Sequence, residues 1–172
     1  MRHPVFTAAV LALLSAGCAA PTEIATLRNE SGTPGGEVLT VTRLRAEPYS
    51  FTYHGGMTDS ARVTVRDAGD WRQLWNAVWA GTSPVPPLPQ VDFTSEMVVA
   101  AALGSRATGG FSIYVDSAYR HDDHVEVVIR KESPGAHCAT TQAFTHPVDL
   151  ARIPATGLPV TFRERGTVHD CS

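Results

Sequence analysis

The chain has 172 residues, a hydrophobic fraction of 43% and a formal net charge of −3. This length and apolar content suit one domain with its own core and a tail. A nucleic-acid-binding protein would show a basic patch, so the weakly acidic composition argues against a nucleic-acid partner.

The N-terminal residues have the order of a secretory signal peptide. Arg2 supplies a positive charge, residues 5–14 form an apolar run, and the small residues 15–17 precede Cys18. Ten helical residues rise about 15 Å, roughly half of a ~30 Å hydrocarbon core, so this run is too short to span a membrane. The letters LSAGC resemble a bacterial lipobox. We therefore predict that residues 1–17 are a lipoprotein signal peptide and that Cys18 carries lipid. An ordinary signal peptide with a coincidental cysteine is the alternative.

Residues 18–36 are predicted to form a flexible tether, because they are rich in small and turn-forming residues and contain few large apolar ones. Two or more acyl chains give durable attachment to a membrane surface. The predicted location is therefore a cell-envelope membrane, with the protein lipid-anchored on its periplasmic or extracellular face. The folded domain is expected to begin at residue 37.

Alternating or apolar runs predict seven or eight short strands. The runs are residues 37–46, 49–54, 61–66, 97–103, 111–117, 125–131, 148–153 and 159–164. Between the third and fourth runs, four apolar residues at helical spacing predict one main helix over about residues 69–80. They are Trp71, Leu74, Trp75 and Val78. Short turns favour antiparallel pairing, so the predicted class is α+β, a mainly antiparallel β-sheet packed with one α-helix.

Two apolar features around this helix allow more than one interpretation. The tryptophan stripe could be a binding surface, but side chains at this spacing are more often core, and we expect core. The proline-rich residues 83–89 could form a polyproline recognition segment, and we expect a rigid loop after the helix instead.

Cys138 and Cys171 remain after Cys18 is set aside. An even pair of cysteines in an exported protein indicates a disulfide. Closing a loop of about 33 residues should stabilise the fold by ~3–4 kcal/mol in the chain-entropy treatment. Two free thiols are the alternative, although a free thiol so near the chain end would be exposed to oxidation.

No catalytic constellation is evident in the sequence, which has no P-loop, dinucleotide fingerprint or nucleophile elbow. His121, Asp122, Asp123 and His124 could bind a metal ion. The same residue types are also typical of a turn between two strands. We therefore predict no enzymatic activity, no cofactor and no bound metal. A small envelope enzyme or metal-binding protein that uses this cluster is the alternative.

Residues 106–111 are the best candidate for a recognition loop. Adjacent glycines free the backbone and let a partner approach closely, and an arginine offers a planar donor fork for a carboxylate. The predicted partner-binding residues are Arg106, Thr108, Gly109, Gly110 and Phe111. A hairpin turn with a structural arginine is the alternative.

Five ordered segments resemble the C-terminal domain of PrcB, a lipoprotein of a protease complex. They are WRQLW at 71–75, VDF at 91–93 with the following strand MVVAAALG, GSRATGGFSI at 104–113, SPGAHC at 133–138 and TTQAFTHP at 140–147. The resemblance, over about residues 71–164, implies that residues 37–172 form a single PrcB-like domain. It also implies an accessory or binding module without defined catalytic residues, which engages another envelope protein such as a protease.

Overall fold

In the described part of the chain, two four-stranded sheets and one helix form the domain. The computed structural model describes residues 35–45 and 56–171, all of which belong to one compact unit. The predicted signal peptide, Cys18, most of the tether and the strand predicted at 49–54 lie outside these residues. The strands are β1 (Glu37–Leu39), β2 (Thr42–Arg43), β3 (Ser60–Val65), β4 (Glu96–Leu103), β5 (Ser112–Arg120), β6 (Val125–Pro134), β7 (Val148–Pro154) and β8 (Val160–His169), and the helix α1 is Ala68–Val78.

The first sheet has the strand order β1-β5-β6-β8, and the second has the order β2-β7-β4-β3. Every pair is antiparallel except β6 with β8, which is parallel. The predicted α+β class, mainly antiparallel with one main helix, is confirmed. The division into two sheets was not predicted. The run expected as one strand over 37–46 is two strands, because β1 pairs with β5 in one sheet and β2 pairs with β7 in the other.

Helix α1 begins and ends close to its predicted bounds. The Asp67 carboxylate caps its N-terminus by accepting hydrogen bonds from the backbone N–H groups of Gly69 (2.8 Å) and Asp70 (2.9 Å). The helix ends at Val78 instead of residue 80, because Trp79 already has non-helical dihedral angles. Within the described part of the chain, no helix is long and apolar enough to cross a membrane.

The tryptophans of this region are core residues. Trp71, Trp75 and Trp79 are each no more than 2% exposed. The proline-rich loop is fixed to them, since the Trp75 indole N–H donates to the Pro86 carbonyl at 2.9 Å. Trp71 makes the equivalent hydrogen bond, of 3.0 Å, to the carbonyl of Pro89, three residues further on. The loop therefore closes over one side of the helix.

Strand β4 is the central element, because it is buried on both faces. Successive strand residues point to opposite faces, and the side chains of β4 divide accordingly. Val98, Ala100 and Ala102 belong to the cluster that includes α1, whereas Met97, Val99, Ala101 and Leu103 belong to the cluster between the sheets. This arrangement explains why β4 reads as a continuous apolar run. The layers are helix, second sheet and first sheet.

A buried carboxylate joins the two sheets. Asp149 on β7 is 7% exposed, and its Oδ2 accepts the backbone N–H of Val115 on β5 at 2.7 Å. Arg43 on β2 donates to the same oxygen at 3.2 Å and to the Val115 carbonyl at 3.1 Å. The β5–β6 register shifts just after Val115, where a bulge occurs. Burial raises the pKa of Asp149, although the hydrogen bonds and the guanidinium oppose this effect.

Candidate partner-binding site

Three segments that are separate in the sequence meet at one end of the two sheets, here called the loop end. They are residues 104–111, 133–138 and 140–147. Arg106 and Thr145 exchange two backbone hydrogen bonds, of 2.8 and 2.9 Å. The Gly109 N–H donates to the Thr141 carbonyl at 3.0 Å. The first and third segments are thus joined as a short antiparallel pair.

Besides the backbone of Arg106, three more of the five predicted partner-binding residues, Thr108, Gly109 and Gly110, support this loop pair. Thr145 is fully buried, and its hydroxyl donates to the Thr108 carbonyl at 3.0 Å. A Cβ at Gly109 would lie 2.4 Å from the Thr141 Oγ1, so only glycine allows this close approach. Gly110 has a φ of +87°, in the left-handed region that glycine adopts without strain. These residues shape the loop end by packing and backbone geometry.

The second segment fastens β8 to the loop end. The structure contains the disulfide predicted from the sequence, between Cys138 and Cys171. Beside it, the Gly135 N–H donates to the His169 carbonyl at 2.7 Å. Strand β8 was predicted to end at residue 164, but its backbone register with β6 continues to His169. The last part of β8 therefore forms one wall of the loop end.

A cavity of about 280 Å³ opens between these walls. The other two predicted binding residues, Arg106 and Phe111, line it on the side of residues 104–111. Leu103 at the end of β4 and Gly166 and Val168 on β8 contribute to the same cavity. The structure thus brings Arg106 and Phe111 together with residues about 60 positions further along the chain.

The charged groups around the cavity differ in whether they have a partner. Lys131 on β6 forms an ion pair with Glu164 at 2.5 Å, and this hydrogen bond lowers the pKa of Glu164. Glu132 is paired with Arg130. Arg106 donates to the carbonyl of its neighbour Ser105 at 3.0 Å, and its Cζ lies 5.7 Å from the centroid of the Phe111 ring. No carboxylate among the described residues pairs with Arg106.

Two large apolar side chains are exposed at the loop end. Phe144, next to the buried Thr145, is 72% exposed, and Val168 is 70% exposed. Sequence reasoning did not select either of them as a site residue. Phe144 lies within the TTQAFTHP segment, so the family resemblance of that segment could have pointed to it as a site residue. Val168 gave no local signal, because its position depends on the pairing of β8 with β6.

The cluster at residues 121–124 lies elsewhere, at the turn between β5 and β6. The rings of His121 and His124 stack with centroids 4.5 Å apart, and Asp123 is bonded to His124 at 2.6 Å. Contact with His124 lowers the pKa of Asp123. Over residues 35–45 and 56–171, no group of three His, Cys, Asp or Glu side chains is arranged to hold a metal ion. The metal-binding alternative gains no geometric support from these residues.

The fold and the loop end define a class of protein: a sheet-dominated α+β domain with a loop-built cavity flanked by exposed apolar side chains. Residues 97–154 match the family model described as PrcB C-terminal, which confirms the family resemblance for strands β4 to β7 and the three segments of the loop end. Helix α1 and β8 lie outside the match. No curated protein matches the chain, and no solved structure does.

Proposed function

We propose that this protein is a membrane-anchored exported lipoprotein that acts as a non-catalytic accessory module and binds another envelope protein, such as a protease. One observation carries the proposal. The segments matched to the PrcB C-terminal family include the three that meet at the loop end. The exposed apolar side chains at this end support the proposal of a protein partner, because burying apolar surface away from water favours association between proteins.

The anchor is proposed from the N-terminal sequence. Residues 1–17 would be removed on export, and Cys18 would carry the lipid that holds the domain at the membrane surface. Growth with a clickable palmitate analogue should label the wild-type protein and leave Cys18→Ala unlabelled. Equal labelling of both proteins, or no labelling of either, would contradict the proposed anchor.

The proposed interface is tested by site-specific photo-crosslinking in intact cells. A benzophenone amino acid at position 144 of the full-length protein should yield one discrete adduct with a second envelope protein, which mass spectrometry would identify. Val38 on β1 is a matched control position, because it is apolar and 71% exposed. It pairs with Tyr119, at the opposite end of β5 from the loop end.

The same adduct at both positions would indicate non-specific contact and would contradict the proposed interface. The absence of any adduct at position 144, with normal expression and export, would also contradict it. If the captured partner is a protease, its activity should change when the accessory protein is removed from the cell. The isolated accessory protein should cleave no peptide substrate by itself.

A further inference from the structure

The cavity at the loop end is small for a ligand site. Its volume of about 280 Å³ lies at the lower limit of the roughly 300–1,000 Å³ that small-molecule sites occupy. Its apolar lining comes from Leu103, Phe111 and Val168. A Cβ at Gly166 would meet no atom within 4 Å, and by strand alternation it would share a face of β8 with Val168. The missing side chain at this position helps to leave the cavity open.

Arg106 provides a polar group in this apolar cavity that would select the chemistry of a ligand. The other charged residues that line it, Lys131 and Glu132, have ion-pair partners, whereas Arg106 has no carboxylate partner among the described residues. An arginine guanidinium binds a carboxylate with two parallel hydrogen bonds, which is its strongest common pairing. The cavity therefore fits a ligand that carries a carboxylate close to an apolar group.

Strand β8 supplies a backbone surface next to the cavity. β8 pairs with β6 along one edge, and the other edge of this ten-residue strand has no strand partner among the described residues. A free strand edge can accept an extended peptide through main-chain hydrogen bonds. Alternate side chains of such a peptide would point to the same side as Gly166 and Val168, which is the side of the cavity.

We propose that the loop end binds the C-terminus of an extended peptide segment of the partner. The last side chain of that segment is apolar and enters the cavity, and its terminal carboxylate pairs with Arg106. A C-terminal residue fits better than an acidic side chain, because its carboxylate and its apolar side chain branch from the same Cα. This inference rests on the proposed function and specifies the chemistry of the partner.

The experiment uses the full-length lipoprotein in detergent and a panel of fluorescent hexapeptides. The peptides share their first five residues and end in Val, Leu, Phe or Asp, each as the free acid and as the C-terminal amide. Fluorescence anisotropy measures the dissociation constants. We expect the free acids with apolar ends to bind, and amidation to weaken binding about tenfold or more, because hydrogen bonds to charged groups are the strong ones.

Two variants and one control locate the site. Arg106→Gln should bind the free acid about tenfold more weakly and should no longer distinguish acid from amide. Gly166→Val should weaken binding about tenfold or more, because its side chain would occupy part of the cavity beside Val168. Gly157→Val is the matched control, because a Cβ at Gly157 also meets nothing within 4 Å and this residue does not line the cavity. Unchanged thermal midpoints would show that all three variants fold.

Several results would overturn the inference: no binding by any peptide, equal affinity for acid and amide, or unaltered discrimination by Arg106→Gln. Tight binding of a free fatty acid in place of the peptides would also overturn it and would indicate a site for lipid acids. The two proposals can fail separately. If position 144 still crosslinks to a partner when the peptides do not bind, the accessory function stands and the C-terminal recognition mode is wrong.

Discussion

Substitution of Asp149 tests how the two sheets are held together. In Asp149→Ala, the Val115 N–H loses its 2.7 Å acceptor in a buried part of the bulge. An unsatisfied buried donor costs about 1–3 kcal/mol. The ion pair with Arg43 adds little to this, because the Arg43 side chain is 38% exposed and the pair is screened by solvent. We therefore expect the free energy of unfolding, measured by urea denaturation at pH 7, to fall by about 1–3 kcal/mol.

Asp149→Asn is the matched control, because the amide keeps an acceptor for Val115 without a buried charge. Burial raises the pKa of Asp149 in the folded protein, so ionisation of this carboxyl disfavours folding. The stability of the wild type relative to Asp149→Asn should therefore be greatest below the unfolded-state pKa of Asp. This relative stability of the wild type should decrease as the pH rises through the folded-state pKa of Asp149. Equal losses for the Ala and Asn variants, or a pH trend of the opposite sign, would refute this reasoning.

Three further predictions concern other contacts. Replacing Cys138 and Cys171 with serine should lower the free energy of unfolding by about 3–4 kcal/mol, because the 33-residue separation constrains the unfolded chain. Glu164→Gln should cost less than about 1 kcal/mol at pH 7, since the Glu164 side chain is 38% exposed and solvent screens its ion pairs with Lys131 and Arg62. The pKa of Glu164 is lowered in the folded protein. The ionised carboxylate therefore adds to the free energy of unfolding above the unfolded-state pKa, and this stabilisation is lost as the pH falls through the folded-state pKa. Trp75→Phe should cost about 1–3 kcal/mol, because a buried carbonyl of the proline-rich loop loses its donor.

Urea titrations measure all three, and each has its own control. Reduced wild-type protein should unfold like the double serine variant, and a stable reduced protein would contradict the disulfide prediction. Glu164→Gln should flatten the acid side of the stability profile, so an unchanged profile would count against the ion pair. For Trp75, substitution of the exposed Phe144 by leucine provides an aromatic change that should leave stability within about 0.5 kcal/mol.

Several elements of the fold could be predicted from the sequence because their signals are local. The 3.6-residue spacing of Trp71, Leu74, Trp75 and Val78 placed the helix within two residues of its observed C-terminal end. The continuous apolar run of β4 indicated a strand buried on both faces. Cysteine count alone suggested the disulfide that the structure contains. The signal peptide and Cys18 stay predictions of the sequence.

Arg106 and Phe111 were selected as partner-binding residues from the sequence alone, since the glycines and the arginine of this segment have recognisable chemistry. Only the tertiary structure decided what surrounds them. The split of residues 37–46 between two sheets, the parallel pairing of β8 with β6, and the cavity between Arg106 and Gly166 all depend on residues far apart in the chain. Local periodicity carries information about the nearest few positions, whereas strand order and cavities arise from long-range packing, which no local pattern contains.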